Sequence, residues 1–176
     1  MKRTVKVLKH NSIADIVINE QGDCYDLIAC EDVKVTPGKA FLVSLGVSMK
    51  LPSGCIAKIY DRSSNPKKRR FKLSNAVGII DNSYAGDKDV WGFLAETLKT
   101  GHGSYSTIHA GDRICQFEIC LSQRATVWQK LLWLFTSGYK FEFVDHLSGV
   151  NRKGFGSTDN PNNEYTNKKT TITINK

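Results

Sequence analysis

Residues 41–51 have the sequence FLVSLGVSMKL, in which apolar residues occupy every second position. Side chains two residues apart lie on the same face of a β-strand, so this alternation predicts one half-buried strand. Pro52-Ser53-Gly54 then interrupts the pattern, and residues 55–60 predict a second strand. The two segments together indicate a hairpin-like pair.

Similar short segments recur along the chain, at residues 4–8, 33–35, 76–80, 90–98, 113–120 and 140–144. Several short strands separated by turn residues predict an all-β barrel or jelly roll. One segment differs, because the apolar residues of 127–135 fall at helical spacing. We therefore expect a short helix there, ending before Thr136-Ser137-Gly138.

Length and composition limit the class of protein. The chain has 176 residues, of which 40% are apolar, and this suits one globular domain with one core. Apolar runs fall short of the roughly 20 residues of a membrane helix, and no signal-peptide core follows Met1. We expect no membrane partner and a cytoplasmic location, in the host cytoplasm if the gene is viral. The five cysteines lack a Cys-x-x-Cys pair, which favours reduced thiols over disulfides or zinc.

The net charge of +8 suits a polyanionic partner, but it does not distinguish nucleotide phosphates from nucleic acid or an anionic membrane. Much of the excess comes from residues 67–72, KKRRFK. We interpret this run as a solvated loop and expect no stable nucleic-acid binding.

Candidate functional residues are densest in residues 75–87, NAVGIIDNSYAGD. A predicted strand ends at Asp81, and Tyr84 follows three positions later. A carboxylate at a strand end is held rigidly, and fixed geometry is what a general base needs to orient or deprotonate a water. Because Asp and Gly also build ordinary turns, a purely structural role is equally open for this segment alone.

Two further segments have the composition of phosphate-binding sites. Arg62-Ser63-Ser64 follows a predicted strand and offers a guanidinium fork with hydroxyl and backbone donors. Residues 152–158, RKGFGST, set two cations and two hydroxyls around glycines that let backbone N–H groups approach an anion. A flexible polar loop explains the second segment as well. Residues 22–27, GDCYDL, and 111–117, GDRICQF, are most simply structural when taken singly.

Taken together and in this order, the five segments resemble the five motifs of the trimeric dUTPase family, between residues 22 and 158. The resemblance implies a jelly-roll subunit that hydrolyses dUTP to dUMP and pyrophosphate with Mg²⁺. It also implies a homotrimer whose active sites are shared between chains. We expect a dUTPase domain over residues 1–159, with an insertion-like segment at 122–148, and a mobile polar tail over 160–176.

The resemblance also implies roles for single residues. Asp81 is similar to the catalytic residue that activates the attacking water, and Tyr84 to the aromatic residue that packs under the deoxyribose. Asp26 resembles the carboxylate that holds Mg²⁺ through bound water, which suits an ion that dehydrates reluctantly. The other matches are substrate contacts: Arg62, Ser63, Ser64 and Gln116 with phosphates, Asn75 and the backbone from Gly78 to Ile80 with uracil, and Arg152, Phe155, Gly156, Ser157 and Thr158 in a C-terminal arm that closes on the substrate.

The sequence departs from the family pattern at three motifs. In the fifth, Arg152 lies three residues before Phe155, a shorter spacing than in many members, and Asp159 replaces the usual glycine. Asp61 precedes Arg62 where the family usually has an uncharged residue, so its charge is expected either to weaken phosphate binding or to fix the Arg62 side chain. After Gly86, residues 87–91, DKDVW, form a charged exit from the third motif. The sequence does not reveal the purpose of this exit.

Two other functions stay open at the level of the sequence. dCTP deaminase shares the fold and several motifs, but that family has its catalytic glutamate about ten residues beyond the Asp, where this chain has Trp91, with Glu96 further along. The second alternative is a dUTP-gated regulatory module with residues 127–139 as the docking surface for a protein partner. An added element packed on its own trimer explains these apolar residues better.

Overall fold

The computed structural model describes residues 1–152 and 154, and most of its regular structure is β. None of the described helices is long and apolar enough to cross a membrane. One α-helix, α1 (Val127–Leu134), and a π-helical turn, Asn65–Arg69, occur within these residues. The strands are β1 (Arg3–Lys9), β2 (Ile16–Ile18), β3 (Tyr25–Ile28), β4 (Val33–Val35), β5 (Phe41–Ser44), β6 (Val47–Lys50), β7 (Cys55–Asp61), β8 (Phe71–Leu73), β9 (Val77–Ile80), β10 (Gly92–Thr97), β11 (Ser106–Ile108), β12 (Arg113–Leu121) and β13 (Tyr139–Phe143).

The described strands form four hydrogen-bonded sheets around one apolar core. A five-stranded sheet has the order β2-β3-β12-β7-β9, and the others are β13-β1-β6, β5-β10-β8 and β11-β4. Trp91 and Phe117 are fully buried and meet edge to face, with ring centroids 5.4 Å apart. Burial of a large apolar side chain contributes about 1.5–3 kcal/mol, so such residues hold the sheets together. The all-β jelly-roll fold class is confirmed.

Residues 41–51 form two strands instead of the one predicted. β5 pairs with β10, whereas β6 pairs with β1 in another sheet. Gly46 lies between them with a φ of 63°, a conformation that glycine adopts without strain. A Cβ at this position would also collide with the Cys30 Sγ atom. The predicted hairpin is wrong too, because β7 pairs with β12 and β9.

The other predicted strands are confirmed, with ends shifted by one or two residues. β2, β3, β8 and β11 were not predicted. The predicted helix is confirmed as α1. It begins at a capping box in which the Thr126 hydroxyl accepts a hydrogen bond from the Gln129 backbone and the Gln129 side chain accepts one from the Thr126 backbone.

The segment at 122–148 contains α1 and β13, and the two elements pack differently. β13 runs parallel to β1, and Phe141 meets Tyr25 edge to face at a centroid distance of 4.8 Å. α1 has no buried residue, and the exposed fraction of Trp128 is 76%. Only its Trp133 packs against the core. The strand is therefore part of the fold, whereas the helix leaves an apolar face open.

Candidate active site

Asp81 directly follows β9, and its side chain is 63% exposed. A turn with a hydrogen bond from the Tyr84 N–H to the Asp81 carbonyl follows, 3.0 Å long. The Asn82 side chain fixes this turn from behind, because its Nδ2 donates to the carbonyl groups of Pro52 at 2.8 Å and Cys55 at 2.9 Å. The Asp81 carboxylate is thus presented to solvent from a rigid backbone.

Tyr84 and Arg152 lie beside Asp81. The Tyr84 hydroxyl donates to the Val90 carbonyl at 3.1 Å, which fixes the ring, and burial raises the pKa of this hydroxyl. Arg152 Nη1 lies 3.5 Å from Asp81 Oδ2 and also donates to Ser83 Oγ. The fold therefore brings together Asp81, Tyr84 and Arg152, three of the residues that the motifs indicated. Asp81 and Arg152 are 71 residues apart in the sequence.

A second group of predicted residues lies around Asp26, which is buried. Arg62 Nη2 is 3.3 Å from Asp26 Oδ2, and Arg113 Nη1 is 3.6 Å from the same oxygen. Gln116 lies directly opposite Asp26 in the β12–β3 pair. We call Asp26, Arg62, Arg113 and Gln116 the arginine cluster. Arg113 was not predicted as a site residue, although it stands in the fourth segment and is a cation three residues before Gln116.

Asp61 does not fix the Arg62 side chain, so that prediction is wrong. Its Oδ1 accepts a hydrogen bond from Asn65 Nδ2 at 2.6 Å, and its Oδ2 accepts one from the Leu73 N–H at 3.3 Å. Burial raises the pKa of Asp61. The carboxylate therefore stabilises the π-helical turn that follows Arg62, while Asp26 orients the guanidinium.

The residues predicted to contact uracil lie in β9 and in the turn before it, directly ahead of Asp81 in the sequence. Asn75 is exposed in the turn between β8 and β9, and Gly78 lies opposite Ile59 in the β9–β7 pair. β9 has a partner strand on one side only among the described strands, so its outer edge has unpaired backbone donors and acceptors.

The remaining candidates are two serines, which the structure describes, and the C-terminal residues, which it describes only in part. Ser63 is exposed, and Ser64 stands at the start of the π-helical turn without a side-chain capping bond. Phe155, Gly156, Ser157 and Thr158 lie outside the described residues. Gly154 is described, and a Cβ on it would lie 3.1 Å from the Tyr84 hydroxyl, which places the start of the predicted arm beside Tyr84.

The arginine cluster and Asp81 lie at opposite ends of the β7–β9 pair. Ala57 pairs with Ile80, so Asp81 lies beside the start of β7, whereas Arg62 follows the end of β7. Six residues of extended strand span about 20 Å. One chain therefore does not bring its own Arg62 into contact with its own Asp81.

The described residues contain no group of three or more His, Cys, Asp or Glu side chains that could hold a metal ion directly. Asp26 is the one carboxylate of the arginine cluster, and two cations already face its Oδ2. These residues fit a divalent ion that is held mainly by substrate phosphates and water, with Asp26 behind the water shell.

Comparison with known proteins gives one consistent result. The model of the dUTPase family matches residues 11–127, which include Asp26, Arg62, Asp81 and Gln116. The SPbeta prophage-derived deoxyuridine 5'-triphosphate nucleotidohydrolase of Bacillus subtilis strain 168 is 40% identical over 139 residues, 79% of this chain and 85% of that protein. The crystal structure of a dUTPase from Streptococcus mutans superposes with a TM-score of 0.61 at 22% identity, covering 70% of this chain and 99% of that one. A variant dUTPase of the Staphylococcus aureus phage phi11, whose structure reveals the coordination of a structural Mg(II) ion, gives 0.59 at 18% identity over 71% and 95% of the two chains.

Proposed function

The chain belongs to the dUTPase family, and we propose that it hydrolyses dUTP with Asp81 as the residue that activates the attacking water. Family membership makes the chain a dUTP diphosphatase, which converts dUTP to dUMP and pyrophosphate. The observation that supports Asp81 is its exposed carboxylate, held at the end of β9 by the turn to Tyr84 and by Asn82. A base of fixed geometry is the requirement for orienting a water molecule in line with the α-phosphorus.

The arginine cluster supplies the charge that the phosphates require. Arg62 and Gln116, with the hydroxyls of Ser63 and Ser64, bind phosphate oxygens and stabilise the charge that develops on the leaving pyrophosphate. Arg62 is held by Asp26 at 3.3 Å, so its guanidinium is preorganised before the substrate arrives. Direct attack of water needs no covalent intermediate.

Specificity for deoxyuridine comes from Tyr84 and the hairpin before Asp81. The bond from the Tyr84 hydroxyl to the Val90 carbonyl fixes the ring under the deoxyribose, where a 2′-hydroxyl has no room. Asn75 and the open backbone edge from Gly78 to Ile80 hydrogen-bond the uracil. Steric closure above C5 of the base excludes thymine.

Mg²⁺ is the proposed metal, and Asp26 holds it through water. When bound to the triphosphate, the ion neutralises negative charge around the reacting phosphorus. The structural Mg(II) ion of the phage phi11 dUTPase supports use of this metal in the family. Asp26 alone is a sufficient protein anchor, because Mg²⁺ keeps most of its water ligands.

The proposed assembly is a homotrimer with shared sites, and the separation of about 20 Å along β7 supports sharing between chains. Arg62 of one chain reaches Asp81 only if that Asp81 belongs to another chain, and a closed ring of identical subunits builds every site in the same way. The arm from Arg152 through Phe155 to Thr158 then closes over the nucleotide and excludes water.

The test of this proposal is pyrophosphate release from dUTP, dCTP, dTTP and UTP, each with Mg²⁺ and with a chelator. We expect metal-dependent release from dUTP alone. Asp81→Asn should abolish turnover while dUTP still binds, and Asp15→Asn, which changes an exposed carboxylate outside both groups, should leave turnover unchanged. Substantial turnover by the Asp81→Asn enzyme would contradict the assignment.

The same assay separates this activity from deamination. Trp91 occupies the position of the deaminase glutamate and is fully buried in the core, and Glu96 is engaged by Lys72 at 3.7 Å. The deaminase position therefore has no carboxylate, and the nearest glutamate along the strand is paired with a lysine. Ammonia release from dCTP would contradict this conclusion.

A further inference from the structure

The turn between β6 and β7 is tied to the backbone that bears Asp81. We call residues 51–55 the β6–β7 turn. Asn82 Nδ2 donates to the Pro52 carbonyl at 2.8 Å and to the Cys55 carbonyl at 2.9 Å. Because Asn82 directly follows Asp81 in the chain, a shift of the β6–β7 turn is passed to the backbone of Asp81.

The helix α1 contacts the same turn through other atoms. Gln129 Nε2 donates to Ser53 Oγ at 2.7 Å. Gly54 has a φ of 77°, and a Cβ on it would lie 2.8 Å from the Cβ of Gln129, so only a glycine allows the helix this close to the turn. The Ser122 N–H, in the chain that leads to α1, donates to the Gly54 carbonyl at 2.9 Å.

The Gln129 side chain makes two hydrogen bonds with one amide group. Its Oε1 accepts a bond from the Thr126 N–H at 2.7 Å, which is part of the capping box at the start of α1. Its Nε2 makes the bond to Ser53. Because the amide is planar, the two bonds together fix the start of α1 relative to the β6–β7 turn.

We propose that α1 is coupled to the active site through the β6–β7 turn, with Gln129 as a positioning residue for Asp81. The contacts run from Gln129 to Ser53, along the turn, and from its carbonyl groups to Asn82. Gln129 acts through this chain of contacts and not on the reacting atoms. The inference rests on the proposed function, in which the Asp81 carboxylate activates the attacking water.

The first test is a double-mutant cycle on kcat for dUTP. Gln129→Ala removes the bond to Ser53 and should lower kcat by roughly 2- to 30-fold, the range of effects that pass through such contacts. KM should change by less than about twofold, because Asp81 acts on water and not in substrate binding. In an Asn82→Ala background the same substitution should cost less than about twofold, since the turn is no longer tied to Asp81.

Two further variants serve as controls. Lys130→Ala changes the exposed neighbour of Gln129 in α1 and should leave kcat unchanged. Gln129→Glu keeps an acceptor for the Thr126 N–H, and the Ser53 hydroxyl can donate to its other oxygen, so this variant should keep most of the wild-type kcat. Equal losses in both backgrounds of the cycle, or a rise in KM without a fall in kcat, would overturn the inference.

Hydrogen exchange of the Tyr84 N–H tests the coupling without turnover. This N–H donates to the Asp81 carbonyl at 3.0 Å, so its exchange rate reports on local opening of the turn that bears the carboxylate. Gln129→Ala should raise the rate by at least about twofold. An unchanged rate would overturn the inference.

The two experiments remain decisive if one variant or one premise fails. If Gln129→Ala does not fold, Ser53→Ala takes its place in both, because it removes the same bond and leaves the capping box of α1 intact. Absence of dUTP turnover in the wild-type enzyme would contradict the proposed function. The exchange rate of the Tyr84 N–H would still decide whether α1 is coupled to the turn at Asp81.

Discussion

Asp26 and its two arginines show how a single carboxylate can serve two purposes. It orients Arg62 and Arg113, and in the proposed mechanism it anchors the water shell of Mg²⁺. Asp26→Asn keeps the shape but removes the charge. Loss of an outer ligand of this kind costs roughly 10- to 100-fold in metal affinity, so the Mg²⁺ concentration for half-maximal pyrophosphate release should rise by that factor. An unchanged Mg²⁺ dependence, with Asp15→Asn as the matched control, would remove Asp26 from the metal site.

Tyr60 gives a prediction for alkaline pH. Its hydroxyl donates to Glu118 Oε1 at 2.5 Å, and this hydrogen bond raises the pKa of Tyr60 to about 12. The unfolded chain loses the tyrosine proton near pH 10, whereas the folded chain keeps it to about 12. The free energy of unfolding therefore has its full Tyr60 contribution below pH 10 and loses it between pH 10 and 12.

Urea unfolding measured from pH 8 to 12 tests whether the free energy of unfolding falls above pH 10. At pH values below 10, Tyr60→Phe should lower the urea concentration at the unfolding midpoint. Above pH 10, the midpoint of this variant should fall less steeply with pH than that of the wild-type protein. Some decline should remain, because burial raises the pKa of Tyr139 to about 12 as well. Equal slopes for both proteins would show that the Tyr60–Glu118 bond does not stabilise the fold.

At the scale of elements, α1 offers two tryptophans in contrasting environments. Trp128 is 76% exposed, and Trp133 packs against the core. Trp128→Gln should change the free energy of unfolding by less than about 0.5 kcal/mol, as surface substitutions do. Trp133→Ala should cost more than about 2 kcal/mol, because it leaves a cavity between α1 and the sheets.

The same Trp128 variant tests the docking surface proposed for residues 127–139. If a protein partner covers the exposed face of α1, Trp128→Gln should keep turnover and subunit assembly but lose that partner. Loss of the assembled enzyme in light scattering would instead show that α1 packs against a neighbouring subunit.

The elements also show where sequence patterns succeed and fail. Alternation correctly predicted buried faces in residues 41–51, but it carries no information on which strand pairs with which. Gly46 turns the chain from one sheet to another, and β13 finds β1 more than a hundred residues away. Such pairings depend on tertiary packing, which a local pattern does not contain.

The residues of the candidate site likewise divide into those that the sequence indicated and those that only the folded structure revealed. Each motif is contiguous in sequence, so its residue types could be recognised there, whereas Asp89 looked like an unexplained charge. In the folded chain the Asp89 Oδ1 atom accepts a hydrogen bond from the Arg152 N–H, 63 positions away, and no local pattern indicates this contact. Arg113 was missed for a related reason, because its contact with Asp26 crosses between strands.

At the scale of the whole molecule, the proposed trimer would make the active site a property of the assembly, because one chain does not bring its own Arg62 to its own Asp81. A site of this kind can be rebuilt from two inactive proteins. Asp81→Asn chains still supply Arg62, and Arg62→Ala chains still supply Asp81, so subunits exchanged between them should regain activity. In a ring of three where each site takes Asp81 from one chain and Arg62 from the next, random equal mixing restores about a quarter of the sites.

A second mixture distinguishes contacts within a chain from contacts between chains. Arg152 lies at Asp81 of its own chain, so mixing Asp81→Asn with Arg152→Ala should give no activity above the sum of the parents. Both mixtures are unfolded together, refolded and assayed for pyrophosphate release from dUTP. Recovery in the first mixture alone is the expected result. No recovery in the first would contradict shared sites, and recovery in the second would show that Arg152 acts on a neighbouring subunit.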